Sequence, residues 1–466
     1  MARLNGSGIT DEPLRLSEID LDARSKSYLG LVLQGPALER GMTYGRVFAD
    51  KIKANVRRHM NDPDIPTWEV CSELIEQHYI PSLRDNWQIA FDEMRGIAAG
   101  SDVPLERVVF LNVWEDLTAI GHTVKSDDRS TSRDRRGSRP PQPPGADESI
   151  SAFFSAKATV DGETVLAHSW SSSKQIQDQN LMVYLEIRYP EAEFPAIFTV
   201  VEAGMISGSG MNSAGLAVTG NCLWSSIDGL PQWGRGSYFP VTCIQRYLLE
   251  SSDMQEARAA CSSLLLHASK HVLLADESGS FSLELGPQHV FTHHARHGNK
   301  AKVHTNHFQS FEAFQCRREI LDRYQGKSSQ SRLYRMEYLI DERVPDRMSR
   351  QDIVDVFSDH DGGSQSICQH NEECHNKTTV SFVMFNPKRK TVSACKGPPC
   401  EGQMMHFTLD TAAEAAARKR QEDARHLNSN GLRRRSKDFG KLESVRKDKR
   451  KIKEQPSART LKSKRK

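Results

Sequence analysis

Residues 125–148, KSDDRSTSRDRRGSRPPQPPGADE, contain four prolines and no aliphatic side chain larger than alanine. Such a stretch cannot bury enough apolar surface to offset the entropy of ordering its chain, so a disordered insertion is expected, with a phosphorylated Ser/Arg docking segment as the alternative. It divides two regions of different periodicity. Ahead of it, Leu38–Met60 has helical spacing with Val47, Ile52 and Val56 on one face, and Asp85–Ala99 reads as a second helix ended by Gly100-Ser101. Behind it, residues 164–170, 181–189 and 196–204 are short and rich in β-branched and aromatic residues, as strands are. Residues 271–286 and 379–397 read as hairpins turning at Ser278-Gly279 and Asn386-Pro387, and helices are expected at Pro240–Glu250, Met254–His267 and Phe311–Tyr324. Helices, strands, helices and strands again predict an α+β fold with a largely antiparallel sheet.

Charge separates the ends of the chain. The 466 residues carry a net +3, yet residues 411–466 hold 20 Lys/Arg against 7 Asp/Glu, leaving the remainder acidic. This gives a flexible N-terminus over 1–29, a domain over 30–410, and a basic, mostly disordered tail over 411–466, with a short helix expected at 411–425. The tail offers a contact for an acidic partner or a nuclear import signal; its single aromatic residue, Phe439, argues against a platform for stacking nucleic-acid bases. The first residues lack the apolar core of a secretory signal, and no run approaches the ~18 apolar residues of a membrane span. Nine cysteines with no export signal suggest reduced thiols in the cytoplasm or, through the tail, the nucleus, and no membrane partner.

The chemistry concentrates in Val303-His304-Thr305-Asn306-His307-Phe308, where Asn306 could aim an N–H at a developing oxyanion. Four stretches in order then resemble one family: Gly35-Pro-Ala-Leu-Glu-Arg-Gly41-Met-Thr-Tyr-Gly45; Glu202-Ala-Gly-Met205 with Gly210-Met-Asn-Ser-Ala-Gly-Leu216; His304-Thr-Asn-His307; and Ser366-Ile-Cys368 with Gly397-Pro-Pro399. Together they are similar to the isopenicillin N acyltransferase-like family, the acyl-coenzyme A:6-aminopenicillanic acid acyltransferase group of N-terminal-nucleophile hydrolases.

The resemblance implies a four-layer αββα sandwich made as a precursor that cuts itself before its nucleophile. It implies an amidohydrolase or acyltransferase acting on a small N-acyl or acyl-thioester substrate, without cofactor, whose fragments stay associated. The family nucleophile is a cysteine at the start of the first strand after the linker, but no cysteine lies between Cys71 and Cys222. Ser149 aligns best, with Ser151 as the fallback, which puts the cut between Glu148 and Ser149. Asn306 takes the oxyanion position. Ser171 stands where the family has an aspartate and Gln369 where it has an arginine, a loss of charge that raises the alternative of a catalytically degenerate binding or scaffold protein.

Other features carry blander readings. In the run Cys368, His370, Cys374 and His375, with Cys395 and Cys400 nearby, the first two cysteines are spaced by five residues rather than the two to four usual in structural zinc sites, and Cys368 also falls on the SIC element, so no metal is expected. The run Thr292–His297 reads as a solvated turn. Trp224 and Trp233 bracket a loop and could line an acyl pocket, whereas Trp170 reads as core.

Overall fold

The computed structural model describes residues 26–130, 147–190, 194–231, 236–293, 300–316, 322, 327–343, 347–371 and 376–409. The basic tail, its expected helix and most of the Pro-rich insertion lie outside them. Helices dominate the first part, as their periodicity requires. The stretch from Leu38 to Met60 forms two helices, α1 (Ala37–Val47) and α2 (Ala49–Met60), which break at buried Phe48. Next come α3 (Trp68–Leu74), a π-helical turn (Ile75–Tyr79) and α4 (Ile80–Asn86), none of which was expected. Then α5 (Gln88–Ser101) ends at Asp102 in left-handed geometry, followed by α6 (Leu105–Asn112) and α7 (Trp114–Ser130). The expected insertion is thus shortened at both ends, because α7 runs on to Ser130 and a strand begins at Glu148.

Fourteen strands among the described residues form two sheets. They are β1 (Leu29–Gln34), β2 (Glu148–Phe154), β3 (Val165–Ser173), β4 (Met182–Arg188), β5 (Ile197–Glu202), β6 (Ser209–Asn212) and β7 (Ala217–Cys222). The rest are β8 (Lys270–Ala275), β9 (Ser280–Gly286), β10 (His289–His293), β11 (Ala301–His304), β12 (Lys377–Asn386), β13 (Thr391–Lys396) and β14 (Met404–Thr408). One sheet runs β1-β4-β5-β6-β7-β8-β9-β10 and the other β11-β2-β3-β12-β13-β14; all pairings are antiparallel except β1 with β4. The remaining helices are α8 (Lys174–Asp178), α9 (Ile244–Leu249), α10 (Met254–Ser263), α11 (Phe311–Gln315), α12 (Lys327–Arg343) and α13 (Arg350–Phe357). The helix expected from Phe311 therefore stops at Gln315.

Side-chain alternation assembles these elements into four layers. In β4, Val183, Leu185 and Ile187 face a core shared with α1–α7, α9 and α10, while Met182 and Tyr184 face the other sheet. In β2, Phe153 joins that inter-sheet core, whereas Ile150, Ala152 and Phe154 pack with α12 and α13. The order helix, sheet, sheet, helix follows.

The Gly41 and Gly45 motif serves packing. A Cβ on Gly41 would lie 2.0 Å from the Glu93 carbonyl oxygen, and one on Gly96 of α5 would lie 2.1 Å from that of Leu38. Between the helices Arg40 pairs with buried Glu93 at 2.8 Å, and Arg246 of α9 reaches the same carboxylate at 3.3 Å.

Candidate active site

Strand parity places the site. Ser149, Ser151 and Phe153 share the face of β2 that looks across to the other sheet, where Ala217, Thr219 and Asn221 of β7 face back. Two cross-sheet hydrogen bonds result: Asn221 Nδ2 donates to Ser149 Oγ at 2.7 Å, and Thr219 Oγ1 donates to Ser151 Oγ at 2.9 Å.

Ser149 is gripped along its backbone too. Its N–H donates to Asn306 Oδ1 at 2.9 Å, and its carbonyl accepts from Arg332 Nη1 at 3.0 Å. Arg332 Nη2 also donates to Asn306 Oδ1 at 3.0 Å, which fixes the amide so that Nδ2 faces Ser149 Oγ at 3.4 Å and the Cys222 carbonyl at 3.2 Å. Asn306 therefore presents its oxygen to the Ser149 nitrogen and its N–H groups to the Ser149 hydroxyl side.

Charge in the site gathers around Glu148. Glu148 accepts from Gln369 Nε2 at 2.5 Å and from Ser328 Oγ at 2.9 Å, and pairs with Arg332 at 3.4 Å and Lys377 at 3.6 Å. Burial pushes this carboxyl up, but Arg332 and Lys377 outweigh it and hold it at about 2. Ser171 and Gln369 meet through Thr379: Ser171 Oγ lies 3.0 Å from Thr379 Oγ1, which accepts from the Gln369 N–H at 3.0 Å. Ser171 and Gln369 are uncharged, and the charged pair beside Ser149 is Glu148 with Arg332.

A cavity of about 70 Å³ opens beside Ser149, lined among others by Trp114, Asp147, Trp170, Cys222 and Lys270. Burial and then the nearby Glu202 carboxylate raise Asp147 to about 7, although Ser172 Oγ donates to it at 2.5 Å. Cys222 is a poor rival nucleophile, because burial pushes its thiol well above its ordinary value. Lys270 is committed to Glu115 at 2.6 Å.

Behind Asn221 runs a directed hydrogen-bond chain. Because Nδ2 donates to Ser149, Oδ1 accepts from His271 Nδ1 at 2.7 Å; His271 Nε2 then accepts from Ser282 Oγ at 2.9 Å, and Ser282 Oγ from His293 Nδ1 at 3.3 Å. Burial keeps His271 neutral, as this tautomer requires. The His271 ring stacks 3.4 Å from His304, whose Nε2 bonds Glu284 at 2.9 Å.

Several expected residues lie elsewhere. Ser151 is fully buried and is not among the cavity-lining residues. Trp224 packs at a tilt against His122, with ring centroids 4.3 Å apart, and is not among the cavity-lining residues, and Trp233 is outside the described residues. Trp114 and Trp170 line the space instead. His293 sits on β10, and His294–His297 fall outside the described residues. Asn221 and Arg332 had no local motif to announce them, although Leu333, Met336 and Ile340 on the core face of α12 have helical spacing.

The family model for acyl-coenzyme A:6-aminopenicillanic acid acyl-transferase matches residues 159–400, beginning ten residues past Ser149. Among solved structures, a mutant conjugated bile acid hydrolase from Clostridium perfringens is 12% identical, with a TM-score of 0.37, over 56% of this chain and 97% of that one. Penicillin V acylase from Agrobacterium tumefaciens is 15% identical, with a TM-score of 0.34, over 53% and 82%. At that similarity neither adds weight to the family match.

Proposed function

This chain belongs to the acyl-coenzyme A:6-aminopenicillanic acid acyl-transferase family, and from that premise we propose that it is a self-processing amidohydrolase or acyltransferase with Ser149 as nucleophile. The observation that carries the reading is the grip on Ser149, whose nitrogen lies 2.9 Å from Asn306 Oδ1 and whose Oγ lies 2.7 Å from Asn221 Nδ2 beside a cavity.

In the precursor, Ser149 Oγ attacks the Glu148 carbonyl carbon and gives its proton to Asp147, which titrates near pH 7 and lines the same cavity. The C–N bond breaks as Asp147 passes that proton to the nitrogen, which becomes the α-amine of Ser149, and the Glu148 acyl group sits as an ester on Oγ. Water opens the ester, leaving a Glu148 carboxylate and a free serine. The new amine, of ordinary pKa ~8, is the base for later turnovers, and Asn306 Oδ1 orients it. Substrate acyl groups then pass to Oγ beside Trp114 and Trp170. Asn221 and Asn306 Nδ2 supply donors on the hydroxyl side, where oxyanion charge develops.

Intact-mass measurement and N-terminal sequencing test this. Wild-type protein is expected as two fragments, the second beginning at Ser149, and Ser149→Ala as one 52.5 kDa chain. A wild-type chain that stays whole for days at neutral pH overturns the reading. It would favour the second one, a scaffold that keeps the fold and meets acidic partners through residues 411–466, as the serine at position 149 and the uncharged pair Ser171 and Gln369 suggest.

A further inference from the structure

We propose that His360, Cys368, His370 and Cys400 form a structural zinc site. Their Nε2 and Sγ atoms all lie within 4.8 Å of one another. The separations are 3.1 Å between the two Nε2 atoms, 3.6 Å between the sulfurs, and 3.8 and 3.3 Å from His370 Nε2 to Cys368 and Cys400. A tetrahedral ion with Zn–S of ~2.3 Å and Zn–N of ~2.0–2.1 Å spaces its ligands by ~3.8 Å for sulfur pairs, ~3.3–3.4 Å for nitrogen pairs and ~3.6 Å for mixed pairs. These four separations stand within about 0.3 Å of that tetrahedron, and His360 Nε2 lies within 4.8 Å of both sulfurs.

Three features favour an ion over a chance gathering. First, four lone-pair atoms converge on one point, which a cation there would satisfy together. Second, two thiolates cancel the charge of a dication, so the partly buried site would carry no net charge. Third, His370 Nδ1 faces Glu401 Oε1 at 3.6 Å, the carboxylate behind a ligand imidazole that fixes Nε2 as the metal-facing nitrogen. The sulfurs are too far apart for a disulfide, whose bond is ~2.05 Å. Thiolate and imidazole ligands select zinc over the hard cations. His360 and Cys400 are exposed, which leaves a way in. The sequence spacing hid the site because only Cys368 and His370 are neighbours along the chain.

All four positions are filled by protein, so the ion binds no substrate and acts as a clamp. It joins the 360–370 segment to the turn at Cys400 and fixes the chain on both sides of Gln369. Gln369 Nε2 in turn donates to Glu148 at 2.5 Å. The link to Ser149 rests on the function proposed above; the metal binding does not.

Full-length protein, stripped with chelator under reductant and then titrated with Zn²⁺ or Co²⁺, tests the site. One ion per chain is expected, with tetrahedral d–d bands and a thiolate-to-cobalt charge-transfer band. His360→Ala and Cys400→Ser, both at exposed positions, should each weaken binding at least ~100-fold, and Glu401→Gln ~10-fold. Three results overturn the proposal: no cobalt thiolate band in wild type, unchanged stoichiometry in the His360→Ala/Cys400→Ser double variant, or a Cys368–Cys400 disulfide under reductant. Zinc binding without chain cleavage would keep the clamp and sink the nucleophile.

Discussion

Two donors converge on one hydroxyl: Asn221 at 2.7 Å and Asn306 at 3.4 Å from Ser149 Oγ. The shorter contact comes from a residue with no motif around it. Removing a single oxyanion-type donor costs ~10²–10³ in rate, so Asn221→Ala should slow processing by that factor, measured as conversion of intact mass over time. Asp147 gives a pH test, best read in a Ser149→Ala background that cannot cut. Its raised value means the folded chain holds a proton that the unfolded chain releases near pH 4. Stability tied to Asp147 therefore falls as pH rises from about 4 to 7 and stays low above that. Asp147→Asn should leave stability unchanged at pH 4 and raise it at pH 8 by about 1–3 kcal/mol, a modest figure because the residue is only partly buried and water screens part of the effect. Denaturant melts at the two pH values check this. The motifs in the sequence pointed to Ser149 and Asn306. They were silent on Arg332, because an ion pair between residues far apart in the chain leaves no local spacing to read.

Among the helices, α1 and α5 touch backbone to backbone. At a free helix position Gly→Ala gains ~1 kcal/mol in propensity. At Gly41 the new methyl would meet the Glu93 carbonyl at 2.0 Å, where no flexible side chain can yield. Overpacking of this kind costs ~1–3 kcal/mol and outweighs the gain. Gly41→Ala should therefore lower the urea midpoint, whereas Gly162→Ala, with open space around its Cβ position, should lack that steric loss although its φ of 69° strains alanine. The strands were legible because two faces alternate in them: residues 164–170, 181–189 and 196–204 all became strands within a few residues. The helices α3, α4 and α6 were missed because apolar residues on several sides blur the single-face pattern on which recognition depends.

Taken whole, the molecule depends on elements from both sides of residue 148. The segment before it supplies β1 and α1–α7, and these build one core with β4, β5, β7–β9, α9 and α10 from the segment after it. Glu93 of α5 holds Arg246 of α9 across that division at 3.3 Å. After cleavage the two fragments should co-elute in size exclusion and separate only in denaturant. A light fragment that elutes alone in buffer would contradict this. Layered helices and antiparallel sheet were legible from the succession of helices and strands, whereas the four-layer order came from the family resemblance. The second sheet partner of β2 and of β3 was not legible, since β11 with β2 and β3 with β12 pair segments separated by long stretches of chain.

The place of Ser149 inside β2 has one more consequence. A chain that folds whole and is then nicked within a core strand no longer carries its assembly instructions in one piece. Rebuilding the core that α1–α7 share with β4, α9 and α10 would require two separate fragments to meet, and melted fragments aggregate faster than they meet. Ser149→Ala protein should regain its signal when a thermal scan is cooled, and nicked protein should not. Maturation would make the fold a one-way product, held in place by its barrier to unfolding.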